Sequence, residues 1–262
     1  MKKLFALLFA LILAAASFSA LAEGDLLSQI QERGKLIIAT EGDWSPWTYH
    51  DETTGELTGL EYEIGTLIAE ALGVEAEFQE TAWDSILAGV DAGRFDIACN
   101  GVGYTTERAE KYSFTEPYVY THKVLAVRSD NEEIKSIDDL PGHTTANSAS
   151  STYGALAESL GATVTYVTTM QESLALVEQG RVDATLNAQV SIVDYQNQHP
   201  EANIKIVDIL PGDPVAYPIR KGEDTESFVA AVNEILAQAK ADGRLAAISE
   251  KYFGLDLTQP DD

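Results

Sequence analysis

The sequence WDSILAGVDAGRFDIACNGVGYTTERAEKYSFTEPY, residues 83–118, is expected to pass through a helix, a buried strand and a second helix. WDSILAGVDAG has apolar residues on one helical face, and FDIAC is typical of a short buried strand. The glycine-rich NGVG ends that strand, and TTER begins the next helix with Thr105 or Thr106 as its cap. Arg108 is therefore predicted to lie in the first turn of a helix, just past the carboxyl end of a strand.

Arg108 is a candidate ligand-binding residue because of this position. Ligands of open α/β sheets bind at the carboxyl edge of the strands, where an arginine can hold a carboxylate with two parallel hydrogen bonds. The positive end of the helix adds to this attraction. A solvated helix residue is the alternative, since exposed ion pairs are common and weak. Gly101 and Gly103 do not indicate a dinucleotide loop, because GVGYTT lacks the third glycine of GxGxxG.

The remaining elements predict two α/β lobes. KLIIAT, a helix from Glu61, VEAEFQ and the block above form a strand, helix, strand, helix, strand series, which argues for a parallel sheet covered by helices. A second series of alternating elements follows between two extended stretches, VYTHKVLAVR and DPVAYPIRKG. A chain that leaves one lobe and later returns to it crosses between the lobes twice, as a two-strand hinge requires.

The first residues predict secretion. Lys2 and Lys3 precede an apolar run, and Ala20-Leu21-Ala22 offers a small-x-small cleavage site, so residues 1–22 are interpreted as a signal peptide. An uncleaved membrane anchor is the alternative, although the unbroken run is shorter than the ~20 residues that span a bilayer. No cysteine follows the run, which excludes a lipoprotein anchor. We expect a periplasmic or otherwise secreted protein, cleaved near Ala22.

Composition excludes several classes of function. Without residues 1–22 the chain has 15 basic and 42 acidic side chains, a net charge near −27, which repels nucleic acid and anionic lipid. Cys99 is the one cysteine, so no intramolecular disulfide can form, and its apolar strand indicates a buried, inert thiol. The four histidines show no metal spacing. We expect no metal, no cofactor and no nucleic-acid partner.

The chain resembles the periplasmic polar amino acid binding proteins of ABC importers. In that family W-D-x-L-x-x-L-x-x-G-x-x-D, T-x-x-R and F-S-x-P-Y recur in the order seen in residues 83–118. The resemblance covers residues 27–257. TEGxWxPW near the start and TLNAQVSIVDYQNQHPEANIK in the second lobe are most similar to cystine or cysteine binders.

The resemblance implies a type II periplasmic binding protein, an α/β clamshell of two lobes with two hinge strands. Residues 23–117 and 216–262 would form lobe 1, and residues 123–210 would form lobe 2. Residues 118–122 and 211–215 would form the hinge.

Four residues match family positions that hold the ligand's α-carboxylate. Arg108 matches the arginine that binds this group. Ser150, Ser151 and Thr152 match a loop at a helix start in lobe 2 that closes over the same carboxylate. A serine-rich helix amino terminus is itself a ready anion site. Ordinary N-capping is the alternative for these hydroxyls, and both roles can be served at once.

Four further residues match positions around the rest of the ligand. Trp44 and Trp83 match aromatic residues that flank the ligand side chain, with ordinary core tryptophans as the alternative. Gly101 matches a position whose carbonyl oxygen accepts a hydrogen bond from the ligand ammonium. Glu41 matches an acidic position in the pocket wall.

Two residues depart from the family pattern. Gly103 stands where the family usually has serine or threonine, and Ala188 stands where it usually has the aspartate that pairs with the α-ammonium. Loss of a carboxylate from a desolvated charge pair commonly costs a few kcal/mol. We therefore expect that Glu41 or Asp43 holds the amine, or that the ligand has no ordinary α-amino group.

The expected function is capture of a polar amino acid, cystine-like as the first candidate, or of another small carboxylate, with delivery to an ABC permease. We expect a monomer and no enzymatic activity. A cyclohexadienyl dehydratase-like enzyme is an alternative, but it needs a carboxylic general acid where Ala188 and Gln189 stand. A sensor lobe of a membrane receptor is another.

Overall fold

The computed structural model describes residues 24–260. The predicted signal peptide lies outside this range. Two long neighbouring strands carry the chain from one group of helices and strands to another and back. We call the part of the fold before the first long strand and after the second lobe 1, and the part between them lobe 2.

The first passage through lobe 1 alternates helices and strands. Its elements are α1 (Leu26–Arg33), β1 (Lys35–Thr40), β2 (Asp43–Trp44), β3 (Thr48–His50), β4 (Leu57–Thr58), α2 (Leu60–Leu72), β5 (Glu75–Glu80), α3 (Trp83–Asp91), β6 (Ile97–Ala98), α4 (Thr106–Lys111) and β7 (Tyr112–Phe114).

The two long strands and lobe 2 follow. The elements are β8 (Val119–Arg128), a 3₁₀ turn (Ile137–Asp139), β9 (Thr144–Asn147), α5 (Thr152–Ser159), β10 (Thr163–Tyr166), α6 (Met170–Glu178), β11 (Ala184–Ala188), α7 (Gln189–Gln198) and β12 (Ile204–Val215). The chain then returns to lobe 1 with β13 (Pro218–Arg220), a 3₁₀ turn (Glu223–Thr225), α8 (Glu226–Ala241) and α9 (Arg244–Phe253).

A parallel sheet in the order β5-β1-β6 forms the centre of lobe 1, as the alternating pattern predicted. Helix α2 places Ile64 and Ile68 in the core, and both side chains are almost completely buried. Burial of one such side chain contributes roughly 1.5–3 kcal/mol. Helix α8 packs Phe228, Val232 and Leu236 into the same core.

A five-stranded sheet in the order β10-β9-β11-β8-β12 forms the centre of lobe 2. β9, β10 and β11 are parallel, whereas β8 runs antiparallel to both of its neighbours, β11 and β12. The β8–β12 pairing continues from Ile204 opposite Arg128 to Val215 opposite Val119, with register shifts near residues 207 and 210–211. This paired ribbon is the connection between the lobes; the exact limits of lobes and hinge stay predictions.

Residues 43–58 contain three short strands that the sequence did not predict. They form a small antiparallel sheet, β2-β3-β4, because the turn at WSPW reverses the chain and pairs Trp44 with Thr48. The Trp47 N–H donates to the Trp44 carbonyl at 3.0 Å within this turn. The two tryptophans are thereby fixed on the edge of lobe 1 that faces lobe 2.

Candidate functional site

Arg108 lies in the first turn of α4, where its position is fixed by local capping. The Thr105 hydroxyl oxygen accepts a hydrogen bond from the Arg108 backbone N–H at 3.1 Å. The Arg108 side chain turns back, and Nη1 donates to the Gly103 carbonyl at 2.9 Å. Its guanidinium carbon lies 5.4 Å from the ring centre of Trp83, which is within cation–π range. Burial lowers the pKa of Arg108 below its usual range.

The loop before α5 brings lobe 2 against this arginine. Nη2 of Arg108 donates to the Ser150 carbonyl at 3.0 Å. The backbone N–H and hydroxyl of Ser150 donate to Oδ1 of Asp84 in lobe 1, at 3.1 and 2.6 Å. Ser151 is the N-cap of α5, and its hydroxyl oxygen accepts from the Gly154 N–H at 3.0 Å. The loop therefore caps its own helix and also contacts lobe 1.

Two further hydrogen bonds cross between the lobes. Gln171 Nε2 donates to the Asp43 carbonyl at 2.8 Å, and Trp47 Nε1 donates to the Ser191 hydroxyl at 3.1 Å. With the contacts of Ser150, they hold the two lobes together on several sides of the cleft. The structure is a closed form.

The closed lobes surround a cavity with about 720 Å³ of empty space, part of which is open to solvent. Its walls come from both lobes and from the strands between them. The lining residues are Glu41, Asp43, Trp44, Trp83, Gly101, Gly103, Arg108, Thr121, Lys123, Ser148, Ser151, Thr152, Tyr153, Met170, Asn187, Asp213 and Val215.

Eight of the nine residues predicted from the sequence lie around this one cavity. These are Glu41, Trp44, Trp83, Gly101, Gly103, Arg108, Ser151 and Thr152. Ser150 is not part of the wall, because its polar groups are bonded to Arg108 and Asp84 across the cleft. The structure thus brings the predicted residues together, while their contact with a ligand stays a prediction.

Trp44 and Trp83 form apolar walls of the cavity. Trp44 stacks on Trp47 with ring centres 5.2 Å apart. Trp83 is 8% exposed, and its indole N–H is buried without an acceptor among the described residues. A buried donor of this kind usually has a partner, so the Trp83 N–H is available to a molecule in the cavity.

Glu41 gives the cavity an acidic wall. Asn100 Nδ2 donates to Glu41 Oε2 at 2.7 Å. Burial is the largest cause that raises the pKa of Glu41, to about 7, and the charges of Asp43 and Asp84 contribute. At neutral pH the Glu41 side chain is therefore near the midpoint of its titration.

Gly101 is fixed by a buried carboxylate that sequence reasoning missed. The Gly101 N–H donates to Glu61 Oε1 at 2.5 Å, and the Tyr217 hydroxyl donates to Oε2 at 2.8 Å. Tyr118 also donates to Oε1, and its ring stacks on Tyr217. Burial raises the pKa of Glu61 to about 7. Glu61 thus connects the cavity loop to both chain crossings, since Tyr118 precedes β8 and Tyr217 follows β12.

Sequence comparison identifies the family. Residues 36–255 match the family described as bacterial extracellular solute-binding proteins, family 3.

The chain belongs to this family.

A relative from Haemophilus influenzae, named "probable amino-acid ABC transporter-binding protein", is 39% identical over 252 residues, covering 95% of this chain and 97% of that protein. Family 3 proteins of this kind are binding proteins, so the enzyme alternative is not favoured.

Solved structures of amino-acid-binding proteins confirm the two-lobed α/β clamshell. The L-cystine solute receptor of Neisseria gonorrhoeae, unliganded and open, is 40% identical, with a TM-score of 0.60 over 90% of this chain and all of that one. An ancestral arginine-binding protein bound to arginine is 31% identical, with a TM-score of 0.79 over 85% of this chain and 99% of that one. The arginine-bound structure has the higher TM-score despite its lower sequence identity. This agrees with the contacts between the lobes in the present closed form.

This family 3 protein also lines its cavity with residues of the crossing strands, which the sequence reasoning did not select. Thr121 and Lys123 come from β8, and Asp213 and Val215 come from β12. Their two-residue spacing places each pair on one face of its strand. This spacing is visible in the sequence, but it indicates cavity residues only when the pairing of β8 with β12 is known.

Among residues 24–260, no group of three or more histidine, cysteine or acidic residues is arranged to hold a metal ion. No helix within those residues is long and apolar enough to cross a membrane.

Proposed function

We propose that this protein captures a small amino acid between its lobes and presents it to the permease of an ABC importer. One observation carries the proposal. Arg108 is a partly buried guanidinium at the lobe junction whose only hydrogen-bond acceptors among the described residues are the carbonyl oxygens of Gly103 and Ser150. A partly desolvated arginine without a carboxylate partner is suited to bind a ligand carboxylate.

Arg108 has hydrogen-bonding capacity left for that carboxylate. A guanidinium has five N–H groups, and two of them are used by the carbonyl contacts. The amino terminus of α5 faces the same cavity with Ser151 and Thr152. Backbone N–H groups at a helix start add favourable interactions with an anion. The ligand carboxylate would therefore be held from lobe 1 by Arg108 and from lobe 2 by the start of α5.

Another part of the cavity wall suits an uncharged or positively charged side chain. Trp44 and Trp83 provide flat apolar surfaces, and Glu41 and Asp43 provide negative charge beside them. The 40% identical receptor from N. gonorrhoeae is named for L-cystine, and the ancestral protein is bound to arginine. Both ligands carry a positive group far from the first carboxylate, which can face the acidic wall; L-cystine carries a second carboxylate beside that group. L-cystine is our first candidate.

Lobe closure would couple binding to transport. A ligand that contacts both lobes favours the closed form by the contacts it makes only there. A permease that recognises this form would receive loaded protein. We propose that the mature protein acts as a monomer in the periplasm or otherwise outside the cytoplasm, with lobes and hinge divided as the sequence predicted.

Calorimetry tests the proposal directly. Residues 23–262 would be purified, freed of bound solute by unfolding and refolding, and titrated with the common L-amino acids, L-cystine, sugars and divalent metal salts. We expect saturable one-to-one binding of L-cystine or another amino acid, with a rise in Tm that grows with ligand concentration. Binding of sugars or metals alone would contradict the proposal. Mass spectrometry of the solute released before refolding identifies the natural ligand.

A further inference from the structure

The cavity contains an ion pair beside the position where an acidic residue is missing. Lys123 Nζ donates a hydrogen bond to Asp213 Oδ2, and both residues are part of the cavity wall. Lys123 stands opposite Ala188 in the pairing of β8 with β11. Cross-strand neighbours share one face of a sheet. The uncharged Ala188 is therefore flanked by a cation, and the carboxylate that neutralises this cation comes from β12 instead.

Asp213 is connected to Arg108 by a short series of contacts. Arg108 Nη1 is bonded to the Gly103 carbonyl, and Gly103 pairs with Val215 in an isolated β-bridge. Next to this bridge, the Tyr104 N–H donates to the Pro214 carbonyl at 2.9 Å. The loop with Gly103, whose carbonyl oxygen accepts from Arg108, therefore contacts Pro214 and Val215, the two residues directly after Asp213.

From this geometry we infer that Asp213 receives the α-ammonium group of the ligand, in the role that Ala188 leaves empty. The inference rests on the proposed function, in which Arg108 holds the α-carboxylate. In an α-amino acid both groups are attached to one carbon atom, so the acceptor of the ammonium must be near Arg108. Asp213 meets this requirement from β12.

Asp213 has a free oxygen for this contact. The only bond of its carboxylate to the described residues is that from Lys123 to Oδ2, and a carboxylate offers about four lone-pair sites. Its side chain is 40% exposed, compared with 19% for Lys123. An ammonium at Oδ1 and a carboxylate between Arg108 and Lys123 would give a site in which charges alternate in sign.

The electrostatic effect of Arg108 reaches the Lys123–Asp213 pair. Burial, followed by the charge of Arg108, lowers the pKa of Lys123. The charge of Arg108 therefore acts on Lys123, the partner of Asp213.

A matched pair of compounds tests the inference. L-cystine and 3,3′-dithiodipropionate share the disulfide and both carboxylates, but only L-cystine has amino groups. If L-cystine does not bind, the amino acid that does bind is compared with its own des-amino acid. We expect the wild-type protein to prefer the amino compound by about 100-fold, since loss of a desolvated charge partner has effects of this size.

Asp213→Asn should reduce this preference to about threefold or less. Because this change leaves Lys123 without its partner, the double variant K123M/D213N, which removes both charges, is measured beside it. Adding Ala188→Asp to Asp213→Asn should restore at least a tenfold preference, because Asp at 188 would again stand opposite Lys123. Asp130→Asn is the matched control, since Asp130 contacts Arg128 on the surface.

The possible failures are distinguishable. A wild-type protein that binds no amino acid would overturn the proposed function and this inference with it. A wild-type protein that binds an amino acid, with the preference unchanged in both D213N and K123M/D213N, would overturn only the role of Asp213.

Discussion

Arg108 in lobe 1 and Ser150 in lobe 2 are joined by a hydrogen bond of 3.0 Å from the Arg108 guanidinium to the Ser150 carbonyl oxygen. Ser150 in turn donates two hydrogen bonds to Asp84 of lobe 1. The side chain proposed to bind the ligand carboxylate therefore also contacts the opposite lobe. Under the proposed function, ligand binding and lobe closure depend on the same group, Arg108.

Replacement of Arg108 should remove binding. Arg108→Ala leaves a ligand carboxylate desolvated without its partner, at a cost of about 2–5 kcal/mol, or roughly 30-fold to several thousandfold in affinity. Arg108→Lys keeps the charge but loses the planar fork, so we expect an intermediate affinity. Calorimetry and ligand-induced shifts in Tm measure both variants. A shift in Arg108→Ala equal to that of wild type would refute the assignment.

Replacement of Asp84 should weaken closure without removing a cavity residue. Asp84→Ala deletes the acceptor of two hydrogen bonds from Ser150, each worth about 0.5–1.5 kcal/mol. We expect ligand affinity to fall by about 5- to 100-fold, mainly through faster dissociation. Stopped-flow kinetics measures the rate, and small-angle scattering measures the share of open protein. Asp91→Ala, at the exposed end of the same helix, is the control; equal effects of both changes would contradict this prediction.

Gly101 should not tolerate a side chain, whereas Gly103 should. Gly101 has φ +56°, and an added Cβ would lie 2.8 Å from the Trp44 ring and 2.9 Å from the Trp47 ring. Strain in the left-handed region and overlap with the rings should lower the free energy of unfolding by roughly 2–5 kcal/mol in Gly101→Ala. Gly103→Ala has open space at the Cβ position and should change it by about 0.5 kcal/mol or less. Urea unfolding of the ligand-free variants measures both.

Binding of a ligand with a distal cation should release protons through Glu41. Burial raises the pKa of Glu41 to about 7 in the empty cavity, so about half of the molecules are protonated at pH 7. A cation beside Glu41 favours its carboxylate and lowers this pKa, so affinity should rise as pH increases towards about 7 and should level off above about pH 8. Binding at pH 7 should release up to about half a proton. Calorimetry in buffers of different ionisation enthalpy measures the release.

Glu41→Gln should abolish the proton release at pH 7, and proton uptake by the wild-type protein would contradict the assignment. The same residue affects stability with the opposite sign. Because its folded-state pKa lies above the ordinary 4.5, the ligand-free protein should lose stability as pH rises from about 4.5 to 7. Comparison of Tm against pH in the wild-type and Glu41→Gln proteins measures this contribution.

The parts of the site that follow from local chemistry could be predicted from the sequence. Thr105 caps α4 and Ser151 caps α5, and these caps fix where Arg108 and the serine loop stand at their helix starts. Hydrophobic periodicity predicted the parallel sheet of lobe 1. The short strands at residues 43–58 were missed because their pairing depends on one turn rather than on a periodic pattern.

By itself, the sequence determined the α/β class, because caps, turns and periodicity act over a few residues. Its resemblance to a known family supplied the two-lobed division and eight of the seventeen residues around the cavity. Only the tertiary structure decided the contacts between cavity residues that are distant in the sequence. Lys123 meets Asp213 although 90 residues separate them, and Glu61 meets Gly101 and both hinge-side tyrosines. Such contacts are set by the register of distant strands and by the docking of the lobes, and neither leaves a signal in the local sequence.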